Sequence, residues 1–233
     1  MNWETRKETL KQFNRDLPLE AFDRYSEILL DWNERMNLTR ITGEQEMIDK
    51  HFIDSLTPLL LDEYEGTGKV LDLGTGAGFP GMVLALTEPH RHFHLMDSLN
   101  KRITFLNAVV DELGIENVET FHGRAEEAGR NPEFREQYQI VLSRAVAKLN
   151  ILAEYCLPFV EQGGYLIAMK GPEGEEEIEE AENAIKTLGG EFVRCEEFTL
   201  PDGDKRLLVV VRKIKSTPKK YPRGGGKPRK DPL

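Results

Sequence analysis

The stretch VLDLGTGAGFPG, residues 70–81, constrains the fold more tightly than any other part of the chain. A short apolar strand runs into a glycine-rich turn, and the helical pattern MVLALTE comes at once after it. Gly76, Gly78 and Gly81 meet the GxGxxG spacing in the strand–turn–helix setting that gives it meaning, and Gly74 adds another position without Cβ. Loss of those Cβ atoms lets a ligand lie against the backbone, and the first N–H groups of the helix are expected to face an anionic moiety. Pro80 suits a first helical turn, where its missing donor costs little. A second strand, HFHLMD (92–97), ends in Asp97, placed to accept hydrogen bonds from ribose hydroxyls, with Ser98 beside it. NAD and S-adenosylmethionine both carry an adenosine, so loop and acid indicate an adenosyl cofactor without choosing between them.

Around this unit the pattern alternates. Helical periodicity runs through residues 3–35, with Leu10, Phe13, Leu17, Phe22, Tyr25, Ile28, Leu29 and Trp32 as its apolar positions and Pro18 as a break. It returns from Glu44 to Tyr64, so residues 1–65 read as an N-terminal helical extension. Residues 66–214 read as the core, with strands at KVLDL, HFHLMD, VETFHG (118–123), YQIVLS (138–143) and GYLIAMKG (164–171) separated by helices. The acidic helix EEEIEEAENAIKTLGG is expected to bury Ile178, Ala181, Ile185 and Leu188 and to stop at Gly189–Gly190. Two last strands, EFVRCEEFTL and KRLLVVVRKI, flank the turn PDGD and must be antiparallel to each other, because a parallel return needs a longer crossover. The fold class is therefore α/β: a seven-stranded, mostly parallel sheet covered by helices on both faces.

Composition narrows the function. The net charge is -10, which argues against blanket attraction to nucleic acid, yet residues 215–233 carry seven Lys or Arg against one Asp. No run approaches the roughly 20 apolar residues of a membrane span. The opening MNWETRKETLKQFNRD is too polar for a secretory signal, and the lone Cys156 and Cys195 fit reduced thiols, so a cytoplasmic protein is expected. His90, His92 and His94 lack a cysteine or carboxylate to complete a metal site, and no metal is expected. The fourth strand ends in Ser143 and Arg144, beside the small Ala145, where a hydride-transfer enzyme would want an acid–base pair. An electrophilic sulfonium needs only a nucleophile held in line. This tilts the choice towards methyl transfer, with an NAD(P)-dependent oxidoreductase as the alternative and a non-enzymatic RNA-binding or ribosome-assembly protein as a third reading.

Over nearly its whole length the chain resembles the bacterial glucose-inhibited division protein B family, the ribosomal RNA small-subunit methyltransferase G enzymes. The matching stretches are WNERMNLTRI, HFIDSL, LDLGTGAGFPG, DSLNKRITFL, RAEE, SRAVAKL, MKG and the tail TPKKYPRGGGKPRKDPL. The resemblance implies a class I S-adenosylmethionine-dependent methyltransferase fold. It also implies transfer of a methyl group to N7 of a guanosine in the 530 loop of 16S rRNA. An RNA methyltransferase acting on another base atom shares every cofactor feature and remains the near alternative. The resemblance places cofactor contacts at Gly74, Phe79, Ala125, Glu126 and Arg144, beside Gly76, Gly78, Asp97 and Ser98 from the loop and strand end. Arg144, with Ser143, is expected to place the guanine.

His51 and Asp54 share a helix face, the histidine reading as structural rather than catalytic, and Asn37 is expected to tie the helical layer to the pocket. RNA contacts are expected at Lys101 and Arg102, cations in a helix's first turn, and at Lys170 after the fifth strand. Lys219, Lys220 and Arg223 are expected to clamp RNA phosphates from an extended tail, with Tyr221 stacking on a base or packing the tail back against the domain. The partner is thus 16S rRNA, in a 30S subunit or its precursor, met by a monomer.

Overall fold

The computed structural model describes residues 1–144 and 146–233; Ala145 lies outside the described residues. A 3-10 turn at Trp3–Arg6 leads into α1 (Lys7–Lys11), and α2 (Leu19–Met36) starts directly after Pro18, where a missing N–H is tolerated. α3 (Glu44–Met47) continues through a π-helical stretch, Ile48–Ile53, into α4 (Asp54–Leu56) and a 3-10 turn, Thr57–Leu60. Next come β1 (Val70–Leu73), α5 (Gly81–Thr87), β2 (Phe93–Asp97), α6 (Asn100–Leu113), β3 (Val118–His122) and α7 (Ala125–Ala128). β4 (Tyr138–Arg144), α8 (Leu149–Cys156), β5 (Val160–Lys170) and α9 (Glu176–Thr187) precede β6 (Gly190–Thr199) and β7 (Lys205–Lys213). One last turn of helix, α10 (Lys227–Lys230), lies in the tail, which is therefore not extended throughout.

The strands form one seven-stranded sheet in the order β3-β2-β1-β4-β5-β7-β6. β1 to β5 are paired in parallel, and β7 lies antiparallel to both β5 and β6. β7 takes the inner place because LLVVV is buried on both faces, whereas β6, buried only at its first residue, suits an edge. Between β1 and β4 the order reverses, so a crevice opens at the carboxyl ends of the strands there.

Strand side chains alternate between two cores, as the two-residue pleat requires. Val70, Ile140, Leu142, Ile167, Met169, Leu208 and Val210 face α2, the 47–61 helices, α5 and α6. Leu71, Val141, Leu166, Ala168, Val209 and Val211 face α8, α9 and Tyr221 of the tail. In α9 the buried stripe is Ala181, Ala184 and Ile185, with Ile178 at its half-buried start; the buried Leu188 caps the helix, and Gly189 comes next with φ 85°. The N-terminal helices share one core with the sheet through a chain of aromatic rings. Phe52 is wholly buried and lies 5.6 Å from Trp3, 5.1 Å from Phe22, 5.9 Å from Tyr25 and 5.8 Å from Phe79, between ring centroids.

Replacing Phe52→Ala should cost about 3–5 kcal/mol, the usual range for a buried phenylalanine. Urea unfolding should show a lower midpoint with an unchanged slope. A loss below about 1 kcal/mol would mean that the aromatic chain does not couple the helices to the sheet.

Candidate active site

The glycine turn is held from below by one carboxylate. Asp72 is fully buried in β1, and its Oδ2 accepts from Thr75 Oγ1 at 2.7 Å and from the Gly81 amide at 2.8 Å. The first amide of α5 is thus taken by the protein's own acid, which corrects the expectation that it serves an anionic ligand. Gly81 is required by packing: a Cβ there would come 2.7 Å from Asp72 Cβ. From above, the Tyr25 hydroxyl donates to the Ala77 carbonyl, and the Gly76 amide donates to Asp97 Oδ2 at 3.0 Å. Gly76 has φ 63°, and a Cβ there would meet nothing within 4 Å, so the turn presents bare backbone to an open space. Burial pushes the Asp72 carboxyl up to about 6, against the pull of its Thr75 and Gly81 hydrogen bonds.

Asp97 has two duties at once. Its Oδ1 accepts from the Leu99 amide at 2.9 Å, at the entry to α6, while Oδ2 also accepts from Arg102 at 3.0 Å. The neighbouring Lys101 donates to the Met36 carbonyl at 2.9 Å, at the last residue of α2, where a cation is electrostatically welcome. The two cations expected to seek phosphate therefore have partners within the protein, although Lys101 remains exposed.

Arg144, at the end of β4, donates to Asp54 Oδ2 at 2.9 Å and to the Lys50 carbonyl at 3.0 Å. Its guanidinium carbon lies 5.4 Å from the centre of the Phe79 ring. His51 stacks on that same ring, at 4.3 Å between centroids and 9° between planes, and its Nε2 meets Thr39 Oγ1 at 2.9 Å. Burial and the Arg144 charge hold the His51 imidazole down to about 3, so it is neutral at neutral pH. Asn33, rather than Asn37, ties the helical layer to the pocket, its side chain accepting from the Leu38 and Thr39 amides at 2.7 and 2.9 Å. Asn37 instead ends α2 in the left-handed conformation.

These groups line three adjoining cavities. The first, about 350 Å³, includes Gly74, Asp97, Ser98, Ala125 and Glu126, the last two at the start of α7. The second, about 390 Å³, shares Gly74, Asp97 and Ser98 with it and adds Gly76, Phe79, Arg102 and Arg144. The third, about 490 Å³, shares Arg144 and His51 with the second and adds Lys50, Asp54 and Arg206. Val146 borders all three, so they form one groove along the carboxyl ends of the strands. Gly78 lies beneath the groove, where an added Cβ would come 2.9 Å from Leu106. Among the described residues no cluster of three or more His, Cys, Asp or Glu is placed to hold a metal.

Four expected residues turn inward instead. Ser143 is fully buried and donates to the Leu73 carbonyl at 2.9 Å, bridging β4 to β1, so it does not reach a guanine. Lys170 borders the third cavity, but its ammonium is spent on Glu177 at 2.8 Å and the Ala147 carbonyl at 2.7 Å, because the acidic α9 packs beside the end of β5. Tyr221 is 5% exposed within the second core, and Arg223 pairs with the buried Glu154 at 2.7 Å. Tyr221 thus packs the tail against the domain, the second of its two expected roles, while Arg223 is not free to clamp RNA as expected; of that set Lys219 and Lys220 are exposed. Sequence reading passed over the buried Asp72, Thr75 and Glu154 and the half-buried Asn33, of which only Glu154 takes its partner, Arg223, from far along the chain. The one available signal was Asp72 within an otherwise apolar strand.

The sheet order, with β7 antiparallel between β5 and β6, and the groove at the switch point are those of the class I methyltransferase fold. Solved structures of that class share the fold. One is a 16S rRNA (adenine(1408)-N(1))-methyltransferase from Catenulisporales acidiphilia, solved with its cosubstrate SAM: TM-score 0.55, 13% identity, covering 67% of this chain and 89% of that one. Another is M. jannaschii TYW2 in complex with AdoMet: TM-score 0.56, 15% identity, covering 75% of this chain and 80% of that one. The model of the family described as rRNA small subunit methyltransferase G matches residues 18–208. Relatives named "Ribosomal RNA small subunit methyltransferase G" are 52% identical in Alkaliphilus metalliredigens, over 90% of this chain and 88% of that one. One in Desulforamulus reducens is 47% identical over 97% of each chain. The chain belongs to the rRNA small subunit methyltransferase G family.

The Asp72 environment has a testable consequence. Between 3.8 and about 6 the folded chain keeps a proton that the unfolded chain has released, so this group's contribution to stability falls as pH rises through that window. Asp72→Asn removes the titration. The stability of wild type minus that of the variant, from urea midpoints, should decline across the window and level off above it. A difference independent of pH would show an ordinary carboxylate.

Proposed function

We propose that the chain transfers the methyl group of S-adenosyl-L-methionine to N7 of a guanosine in the 530 loop of 16S rRNA. In this reading it acts in the cytoplasm as a monomer, on a 30S subunit or its precursor. The observation that carries the reading is the continuous groove, which joins cavities suited to an adenosyl ligand to a third cavity behind Arg144 large enough for a base.

The residues present fit the cofactor. Asp97 offers a carboxylate for ribose hydroxyls, Ala125 and Glu126 border the outer end, and bare backbone at Gly74 and Gly76 permits close approach. Phe79 would wall the second cavity against the ligand, its plane set by the His51 stack. Once bound, S-adenosylmethionine supplies an electrophilic sulfonium methyl. Guanine N7 offers an in-plane lone pair and has no proton to lose, so the protein's task is alignment and charge. Arg144, oriented by Asp54 and the Lys50 carbonyl, positions the incoming base at the junction of the second and third cavities. Methylation makes the base cationic. A neutral His51 adds no positive charge to that corner, and Asp54 offsets part of the Arg144 charge there.

Labelled S-adenosylmethionine, offered with unmodified small-subunit RNA, 30S particles and intact ribosomes, should deliver label to one guanosine, with N7 identified by nucleotide mapping. No incorporation with any substrate would overturn the reading. Incorporation at another atom would keep the enzyme class and reject N7. Arg144→Ala should lower the methylation rate by about 10²–10³, the scale for losing one preorganised electrostatic group. Unchanged kinetics in a folded variant would remove Arg144 from the site.

A further inference from the structure

The basic tail is fastened to the body along its length. The Thr217 amide donates to Glu136 at 2.7 Å, and Arg135 donates to the Thr217 and Tyr221 carbonyls at 2.7 and 2.9 Å. Arg130 donates to the Pro222 carbonyl at 2.9 Å. The strongest fastening is Glu154 of α8, whose side chain is 1% exposed. It accepts from the Arg223 amide at 2.7 Å and from the Arg223 guanidinium at 2.7–3.1 Å. A carboxylate so deeply buried persists only when its oxygens are paired, so the position of residue 223 is dictated by α8.

Beyond residue 223 the chain turns towards the groove. Gly225 and Gly226 have φ 67° and 70°, a conformation that side chains strain to adopt, whereas Gly224 does not. A Cβ on any of the three would meet nothing within 4 Å, so backbone direction, not space, calls for glycine at 225 and 226. The turn leads into α10, pinned by the buried Pro228, and brings Gly226 and Arg229 to the groove. Both line the 350 Å³ cavity with Gly74, Asp97 and Ala125. Arg229 also lines the 390 Å³ cavity, and its guanidinium donates to the Val146 carbonyl at 3.4 Å. It therefore stands at the junction of the two cofactor compartments, and none of this geometry requires RNA.

We propose that the end of the tail is a wall of the cofactor site, with Gly226 bordering the adenosyl ligand in the first cavity and Arg229 binding it where the first and second cavities meet. This rests on the methyltransferase reading above. Glu154 and Arg223 are positioning residues: they hold the turn in place. Arg229 donates to oxygens of the ligand, as a guanidinium suits.

Isothermal titration with S-adenosylhomocysteine on the full chain separates a cofactor role from an RNA role for the tail. Arg229→Ala should weaken binding about 10-fold, which is about 1.4 kcal/mol. Gly225→Ala with Gly226→Ala, which leaves every charge in place, should also weaken it several-fold, while Gly224→Ala should bind as wild type. RNA affinity, measured by filter retention of 16S rRNA, should stay within about twofold in the same variants. Unchanged ligand affinity in both Arg229→Ala and the double glycine variant, with circular dichroism showing a native fold, would overturn the proposal. Loss of RNA retention alone would assign the tail to RNA. Failure of the wild-type chain itself to bind the ligand would instead sink the methyltransferase reading, and this proposal with it.

Discussion

The candidate site depends on a carboxylate buried beneath it. Asp72 lies at full burial in β1 and joins three pieces of backbone: its own strand, the turn through Thr75, and the head of α5 through Gly81. With Asp72 below and Asp97 and Tyr25 above, the glycine turn is clamped from both sides. Its left-handed glycines then show backbone to the groove in one arrangement. A ligand meeting a preformed surface gives up less affinity to ordering than one that must organise it.

The second constraint is the helical layer before the sheet. Tyr25, Phe52 and Phe79 pack in one aromatic chain, and the π-helical stretch places His51 against Phe79 and leads into Asp54, which faces Arg144. The wall of the groove is thus assembled from residues far apart in sequence, and the charge on Arg144 is balanced by an acid about ninety residues earlier. Arg206 approaches the same carboxylate at 3.5 Å, which brings β7 into the same electrostatic unit.

Much of the fold was legible because it rests on local signals. The strand–turn–helix at 70–81, the seven strands, the antiparallel final pair and the stop at Gly189 all come from periodicity and turn chemistry within a few residues. For the candidate site, motifs at or just past strand ends picked out residues that share one groove: Gly74, Asp97, Ala125, Glu126 and Arg144 all line it. Legibility failed for side chains whose neighbours come from elsewhere. Ser143 and Lys170 sit at strand ends like Arg144, but β1 takes the first and α9 the second. Position along a strand tells which end a residue occupies, not whether a partner has already claimed it.

The tail shows the same division most sharply. Its composition alone determined that residues 215–233 carry a local excess of positive charge and cannot form a long helix, because proline and glycine interrupt every turn. Only the tertiary structure decided where that charge goes. A buried Glu154 on α8 needs a partner, Arg223 supplies it, and two left-handed glycines then direct the chain back over the groove. Local sequence sets which backbone shapes are available at low cost. Desolvation of a buried charge selects among them, and burial exists only once the sheet and its helices have come together.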